Sequence, residues 1–377
     1  MSQPDDHSRV HLLFDPTELE YEFGEEHPMQ PRRLVALMDL LESSSLWRQN
    51  NDAYQLPLRA ATAEELSLAH TPDYIAAVQR LSIPEEMAPS QQEREERNEL
   101  ALRYGFGEED TPALPGMHEA AALIAGGTLV ALSAVMGLPE GGSFNSEDER
   151  PLHVFHPAGG WHHAWAERAS GFCVYNDISV AIAHVLRSCE AKVLYIDFDV
   201  HHGDGVQRSF YDEPRAMTVS FHETGRYLFP GTGDILELGR GLGRGYSVNV
   251  PLEPYTEDQS YIDAMNALLP PLVLSFAPDI IISLHGCDTH SWDPLAHLEL
   301  TLHGITEQMK LTHRLAHTYC HERWVALGGG GYDPYRIVPR AWSTLWAEMS
   351  GQPLPAQLPE EWVARWRPAW QAIQEQE

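Results

Sequence analysis

Short apolar runs that alternate with helical segments fill the chain from residue 150 onward. Five of these runs have the length of a strand: Leu152–Phe155, Val193–Ile196, Ala216–Val219, Ile280–Leu284 and Trp324–Leu327. Helical patterns separate several of them, among them Asn176–Arg187 and Ser260–Phe276. Apolar strands joined by helices are typical of a parallel sheet that is covered on both faces. We therefore expect an α/β fold with a central, mainly parallel sheet and an active site beyond the carboxyl ends of its strands.

The first 150 residues are expected to add helices to the same domain. Apolar residues recur at helical spacing in Arg33–Ser43, and His118–Met136 is rich enough in Ala, Leu and Val to predict a buried helix. The stretch Pro84–Asp110 holds nine acidic residues against three arginines, which predicts a surface helix or excursion. A second acidic loop is predicted at Glu140–Arg150.

The domain prediction is a single unit over residues 1–377, because no linker is long enough to divide the chain. A length of 377 residues accommodates one large α/β domain. The core that carries the motifs is expected at about residues 27–346, and a tail at about residues 350–377.

Composition limits the kinds of binding partner and the cellular compartment that we expect. The chain has 25 Lys+Arg against 55 Asp+Glu, a net charge of −30, whereas nucleic acids and anionic membranes bind basic patches. Neither is therefore expected as a partner. The four cysteines form no CxxC pair, which argues against a disulfide framework. Met1–Val10 lacks a signal-peptide pattern and no apolar run approaches transmembrane length, so we expect a cytoplasmic protein.

The most informative string, Asp197-Phe-Asp-Val-His-His-Gly-Asp-Gly205, follows the run Val193–Ile196. Side chains alternate along an extended segment, so Asp197, Asp199 and His201 project to one face. Two carboxylates and an imidazole at this spacing suit a divalent metal ion. A helix N-cap with a charged turn is the alternative, but so polar a run beyond a buried strand costs stability unless it is used.

Four other strand ends also carry polar or turn-forming residues. The strings are His156-Pro-Ala-Gly-Gly-Trp-His162-His163, Phe229-Pro-Gly-Thr-Gly233, His285-Gly-Cys-Asp288 and Gly328-Gly-Gly-Gly-Tyr332. Any one of them could be an ordinary turn or a satisfied histidine. Together they bring ligands, bases and a phenol to one edge of the predicted sheet, which indicates an active site.

These strings resemble the zinc-dependent histone deacetylase family, whose members have the arginase/deacetylase α/β fold. The matching strings are Gly160–Ala164, Ser170–Cys173, Tyr175–Asp177, Asp197–Gly205, Phe229–Gly233 and Gly328–Tyr332. Asp288-Thr-His-Ser-Trp-Asp-Pro-Leu295 is most similar to the bacterial acetoin-utilisation deacetylases. The resemblance implies an amidohydrolase that removes the acetyl group from acetyl-lysine in proteins and releases acetate.

The resemblance also implies a ligand set for the metal. It makes Asp199, His201 and Asp288 the ligands of one Zn²⁺, for which Fe²⁺ could substitute in the cell. Two carboxylates nearly cancel the charge of the metal, so the remaining activation of water must come from a base.

Carried over in the same way, His162 pairs with Asp197 and His163 pairs with Asp204. His163 is the expected general base and acid, whereas His162 would act through its charge and its hydrogen bond. Tyr332 would donate a hydrogen bond to the oxyanion of the tetrahedral intermediate.

Five residues are implied in substrate binding. Phe172 and Phe229 resemble two aromatic walls around the lysine stem, and the carbonyl of Gly171 could accept from the amide N–H. Asp110 aligns with the acidic residue that holds the substrate backbone, and Leu295 is expected in the pocket wall.

Further positions carry open expectations. Arg33 is expected either along the acetate exit path or in a surface salt bridge, and Cys287 is either a spectator or a competing metal ligand. Structural K⁺ is expected at Asp197, Ser220 and the backbone of Phe221. A second K⁺ site is expected at Phe210, Glu213, Ala216 and Tyr246.

Other functions are weighed against the protein deacetylase. A deacetylase of acetylpolyamines or other small acetylated amines is the closest alternative. A non-catalytic acetyl-lysine-binding protein would usually have lost Tyr332, a tandem histidine or a ligand, and a two-metal ureohydrolase would need carboxylates in place of His162 and His163. Acidic segments at Glu93–Asp110 and Glu147–Glu149 either frame the pocket mouth or serve solubility.

Overall fold

Seven parallel strands form the centre of the molecule in a computed structural model, which describes residues 9–20, 22–24, 26–48, 56, 58–84, 87, 90–107, 110–142 and 149–374. The strands are β1 (Val10–Leu12), β2 (His153–His156), β3 (Val193–Asp197), β4 (Ala216–Glu223), β5 (Ser247–Leu252), β6 (Ile280–Leu284) and β7 (Trp324–Leu327). Their order in the sheet is β1-β2-β7-β6-β3-β4-β5, and every neighbouring pair is parallel. The predicted α/β fold with a parallel sheet is confirmed.

Helices cover both faces of this sheet. The described helices are α1 (Arg32–Ser43), α2 (Ala63–Leu66), α3 (Pro72–Leu81), α4 (Gln91–Arg103), α5 (Met117–Met136), α6 (Asp177–Ser188), α7 (Asp204–Ser209), α8 (Asp258–Phe276), α9 (Leu302–Tyr319), α10 (Val338–Ser350) and α11 (Glu360–Gln374). Helix α5 packs on α6, β2 and β7, whereas α9 packs on α8, α10 and β6. The inner strands between them are buried on both sides and consist mainly of apolar residues, because neither side meets water.

Burial follows the position of each strand in the sheet. All residues of β2, β3, β4, β6 and β7 are buried, and these are the five strands that the apolar runs predicted. The two edge strands β1 and β5 carried too weak a signal to be predicted. Strand β1 has only three residues, and β5 alternates polar with apolar side chains and contains Pro251, which an edge strand tolerates.

Helix α5 corrects the expectation that no apolar run approaches transmembrane length. It has 20 residues, and an 18-residue window within it has a mean hydropathy of 1.7, which is long and apolar enough to cross a bilayer. Most of it, 78% of the apolar window, is buried inside the protein. A side chain at Gly126 would meet the backbone of Arg59 at 1.9 Å, so this helix is fitted closely to its neighbours. It is a core helix.

The polar stretch before α5 forms the exposed helix α4. Ser90 caps it, with its hydroxyl accepting from the N–H of Glu93, and none of its residues is buried. Near the other terminus, α11 docks on α1: the indole of Trp362 donates to the carbonyl of Ala36 at 2.9 Å. Residues 143–148 of the predicted acidic loop, and with them Glu147 and Asp148, lie outside the described residues.

The register of the sheet decides where the strands end. Asp197 at the end of β3 lies opposite Leu284 at the end of β6, and His156 at the end of β2 lies opposite Leu327 at the end of β7. The segments that follow these four strands therefore leave the sheet along the same edge, where the predicted motifs meet.

Candidate active site

Three side chains converge where β3 and β6 end. Nδ1 of His201 lies 3.1 Å from Oδ1 of Asp199 and 3.2 Å from Oδ2 of Asp288. All three residues are buried, and one donor atom from each lies within 4.8 Å of the others. Backbone N–H groups hold the carboxylates: Val200 donates to Asp288 at 2.9 Å, and Gly330 donates to Asp199 at 2.7 Å.

The electrostatics of this group fit a bound cation. Burial, together with the charge of Asp199, raises the pKa of Asp288 to about 6. Two buried carboxylates this close repel each other, and a divalent ion between them relieves that repulsion. Two carboxylate oxygens and one imidazole nitrogen also leave room for a further ligand on a zinc-like ion. The three residues are therefore suited to hold a divalent metal.

His162 lies beside this group and pairs with a buried carboxylate. Its Nδ1 is 2.8 Å from Oδ2 of Asp197, and the same oxygen accepts from the hydroxyl of Tyr195 at 2.7 Å. Burial lowers the pKa of His162, but the charges of Asp197 and Asp199 outweigh it and raise the pKa to about 9. At neutral pH this imidazole is charged.

His163 lies next to it, with ring centroids 3.9 Å apart and the rings tilted by 46°, and it also pairs with an aspartate. Its Nδ1 is 2.7 Å from Oδ1 of Asp204, whose other oxygen accepts from the indole of Trp165 at 2.8 Å. Burial and the positive charge of His162 outweigh the hydrogen bond to Asp204 and its negative charge, so the pKa of His163 falls to about 4. This imidazole is neutral at neutral pH and can accept a proton.

The glycine run after β7 carries Tyr332 to the same site. A side chain at Gly330 would lie 2.2 Å from Oδ2 of Asp288, so only glycine lets the backbone pass this close. The N–H of Tyr332 then donates to Oδ2 of Asp293 at 2.7 Å. Burial and the charge of Asp288 raise the pKa of Tyr332 well above its usual value, which keeps the phenol protonated.

The predicted substrate-binding residues lie around this centre. The ring of Phe172 meets Tyr332 edge to face at 5.8 Å, and the ring of Phe229, 45% exposed, meets His163 at 5.0 Å. The N–H of Gly171 donates to Oδ2 of Asp110 at 3.1 Å. Four of the five residues, Phe172, Phe229, Gly171 and Asp110, therefore lie beside the catalytic groups, and we call them the rim of the site.

Two of the predicted substrate-binding residues, Gly171 and Leu295, already make hydrogen bonds within the protein. The carbonyl of Gly171 already accepts from the thiol of Cys173 at 3.2 Å, so a substrate amide would share it. Leu295 is half-buried and is held through its N–H, which donates to Oδ1 of Asp293 at 3.0 Å.

A search against known families finds that the Histone deacetylase domain profile matches residues 27–349. The acetoin utilization protein AcuC of Bacillus subtilis (strain 168) is 45% identical over 359 residues, which cover 94% of this chain and 86% of that protein. AcuC of Staphylococcus xylosus is 40% identical over 93% of this chain and 85% of that protein. The chain belongs to the histone deacetylase family.

Solved structures of this family share the fold. An HDAC homolog from Aquifex aeolicus superimposes with a TM-score of 0.80 at 29% identity, over 94% of this chain and 88% of that chain. An HDAC homolog complexed with SAHA superimposes with the same TM-score over 95% of this chain and 89% of that chain. From this family membership it follows that the chain is a deacetylase that acts on an acetylated substrate. Within the family, the chain is AcuC-like.

Within the deacetylase site, the structure excludes one of the two expectations for Arg33, and the acetate exit path stays a prediction. The surface salt bridge is wrong, because the side chain is only 5% exposed. Its Nη1 donates to the carbonyls of Gly329 at 2.9 Å and Gly331 at 3.1 Å, and the guanidinium lies over the ring of Trp342. Arg33 therefore holds the glycine loop that precedes Tyr332.

Cys287 stands apart from the three metal donors. Its thiol donates weakly to the carbonyl of Gly330 at 3.8 Å and faces Gly331. Burial and the charge of Asp288 raise the pKa of this thiol well above its usual value, so it stays protonated. The spectator role fits these contacts better than that of a competing ligand, which would have to be a thiolate.

The residues of the two expected K⁺ positions lie on β3 and β4 and in the segment between α7 and β5. Asp197 and Ser220 are register partners on β3 and β4, and the hydroxyl of Ser220 is 2.8 Å from Nδ1 of His222. The carbonyls of Phe210 and Glu213 accept from backbone N–H groups downstream. The K⁺ assignments stay predictions.

Three positioning residues were not singled out in the sequence. Asp177 accepts from the N–H groups of Gly160 at 2.9 Å and Trp161 at 2.7 Å and so fixes the turn before the tandem histidines. Asp293 fixes Tyr332, and Tyr195 fixes Asp197. Asp177 and Asp293 lie inside the matching strings, but nothing in a string tells which N–H a carboxylate will bind.

Proposed function

We propose that this chain is a zinc-dependent lysine deacetylase that hydrolyses the side-chain acetamide of acetyl-lysine in proteins. The observation that carries the proposal is geometric: two adjacent histidines, each held by a buried aspartate at 2.7–2.8 Å, lie beside three convergent metal donors. A neutral base, a fixed positive charge and a protonated phenol can supply the proton transfer and the oxyanion stabilisation of amide hydrolysis.

Asp199, His201 and Asp288 would hold the metal. Zn²⁺ bound there supplies Lewis acidity, which polarises the acetyl carbonyl and makes water a better nucleophile. Asp199 and Asp288 stay fixed through the backbone N–H groups of Gly330 and Val200, so the donor set is organised before the ion arrives.

The chain's own groups move the protons. Neutral His163 accepts a proton from water as the new C–O bond forms, and its hydrogen bond to Asp204 stabilises the resulting imidazolium. The phenol of Tyr332 donates a hydrogen bond to the oxyanion. His163 then gives its proton to the leaving lysine amine as the C–N bond breaks, and acetate departs.

The fixed charge of His162 supports the same step. It lies next to His163 and is held by Asp197, so it stabilises negative charge that develops on the substrate oxygen. Because it is already protonated at neutral pH, it is not available as the base. The two histidines thus have separate tasks.

An open aromatic rim favours a lysine side chain on a larger molecule. Phe172 and Phe229 meet Tyr332 and His163 respectively, and Tyr227 near the rim residue Phe229 is 63% exposed. Such a surface admits a four-carbon stem while its protein backbone stays outside. A cytoplasmic location belongs to this proposal as well.

Turnover by the purified chain tests the proposal. Acetyl-lysine proteins, acetyl-lysine peptides of matched sequence and acetylpolyamines are compared before and after chelation, and after Zn²⁺ is restored. We expect hydrolysis of the lysine substrates that is lost on chelation and regained with Zn²⁺. A strong preference for acetylpolyamines would favour the small-amine alternative, and activity that survives complete metal removal would refute the metal assignment.

A further inference from the structure

Three histidines meet at the end of the sheet opposite to the active site. His153 is the first residue of β2, whereas the segment with the tandem histidines leaves from its last residue. His313 and His317 lie one turn apart on α9 and face His153. No step of the proposed hydrolysis uses these residues.

The nitrogens of this group are close enough to share one ion. One nitrogen from each ring lies within 4.8 Å of the other two, and the Nε2 atoms of His313 and His317 are 3.0 Å apart. Two nitrogens of a tetrahedral zinc site with Zn–N bonds of about 2.0 Å lie about 3.3 Å apart. Without an ion, two lone pairs this close require a proton between them; with an ion, both are satisfied.

Two of the rings, those of His313 and His153, have hydrogen-bond partners of the kind that orient metal-bound histidines. Nδ1 of His313 is 2.8 Å from Oε1 of Glu348, which leaves its Nε2 for a metal. Nδ1 of His153 lies 3.3 Å from the carbonyl of Met349, and its buried Nε2 has no hydrogen-bond partner among the described residues. A carboxylate or carbonyl on the second nitrogen is the usual support of a zinc-bound imidazole.

The ring of Trp324 packs against two of the histidines, and a cavity beside them leaves space for a fourth ligand. The ring of Trp324 stacks on His313 at 5.5 Å and meets His153 edge to face at 5.6 Å. A cavity of about 120 Å³ is lined by the three histidines together with Val10, Leu152, Met349, Ser350 and Gly351. A water molecule fits in a space of this size.

We propose that His153, His313 and His317 form a second metal site, for a divalent ion of the zinc class, between β2 and α9. Three neutral imidazoles suit Zn²⁺ and its neighbours in the first transition row, whereas Mg²⁺ and Ca²⁺ prefer oxygen. Because Glu348 and Met349 belong to α10, an ion here would tie that helix to α9 and to the sheet.

Zinc content of the untagged full-length chain tests this site. After equilibration with Zn²⁺ and removal of free metal, we expect two equivalents in the wild type and one in His317→Ala, whose exposed side chain can be removed without disturbing the core. The matched control is His303→Ala, an exposed histidine on the same helix, which should keep two. Asp288→Asn should lose the other equivalent, so failure at the active site and at this site are told apart.

A second variant probes the outer contact. Glu348→Gln keeps the shape of the side chain but removes the charge that orients His313, and we expect zinc affinity at this site to fall by about 10–100-fold. One equivalent in the wild type that is unchanged in His317→Ala and lost in Asp288→Asn would overturn the proposal. Equal loss in His303→Ala and His317→Ala would also overturn it.

Discussion

Two histidine–carboxylate pairs lie side by side in this protein and differ in charge. Nδ1 of each ring meets an aspartate at 2.7–2.8 Å, and each aspartate has a second donor, Tyr195 in one case and Trp165 in the other. The difference comes from position: His162 has Asp199 as a second acidic neighbour at 3.9 Å, whereas His163 has the charged His162. Equal residue types thus acquire different tasks from their neighbours.

Removal of the proposed base is the most severe test of this difference. His163→Ala should lower kcat by about 10²–10⁴-fold because it removes the neutral imidazole that is placed to accept the proton. Turnover of an acetyl-lysine peptide is measured alongside zinc content, which should not change. A rate close to that of the wild type would mean that the base is another residue.

Removal of the Tyr332 phenol tests whether the two histidine–aspartate pairs are enough for catalysis without it. Tyr332→Phe removes one hydrogen-bond donor to the oxyanion and should lower kcat by about 10²–10³-fold, with KM and metal content preserved. Kinetics on the same peptide provide the measurement. Full turnover in this variant would leave Tyr332 as a packing residue only.

The pH profile should reveal the charge that separates the pairs. Protonation of His163 removes the base, so kcat/KM should fall as the pH drops toward about 4. In His162→Ala the neighbouring positive charge is gone, the pKa of His163 rises, and this limb should move to higher pH. The loss of rate at neutral pH should be smaller than for His163→Ala. An unmoved limb, with metal content constant, would contradict the coupling of the two rings.

The smallest effect is expected when the hydrogen bond from Tyr195 to the His162–Asp197 pair is removed. Tyr195→Phe removes a buried hydrogen bond to the Asp197 carboxylate and should lower the free energy of unfolding by about 1.5–3 kcal/mol. Denaturant unfolding measures it, with Tyr211→Phe at a half-buried position as the control, expected within about 0.5 kcal/mol of the wild type. Equal values for both variants would show that Tyr195 does not support Asp197.

Much of the fold could be predicted from local pattern. The five strands buried on both faces appear as apolar runs because every side chain in them avoids water, and α5 appears as a continuous apolar segment for the same reason. Strands β1 and β5 could not be found this way. They lie at the sheet edges, where a short or mixed run suffices and only pairing with a neighbour defines the strand.

By itself, the sequence determined the fold class and the groups available for chemistry, since these depend on residue type and on spacing along a strand. Only the tertiary structure decided their charge states, because the pKa values of His162 and His163 are set by groups from separate loops. It also decided the location of the Arg33 side chain, which is buried behind the glycine loop. The three-histidine group shows the same limit: His313 and His317 have a visible spacing, but His153 joins them only because the first residue of β2 contacts both rings in the fold.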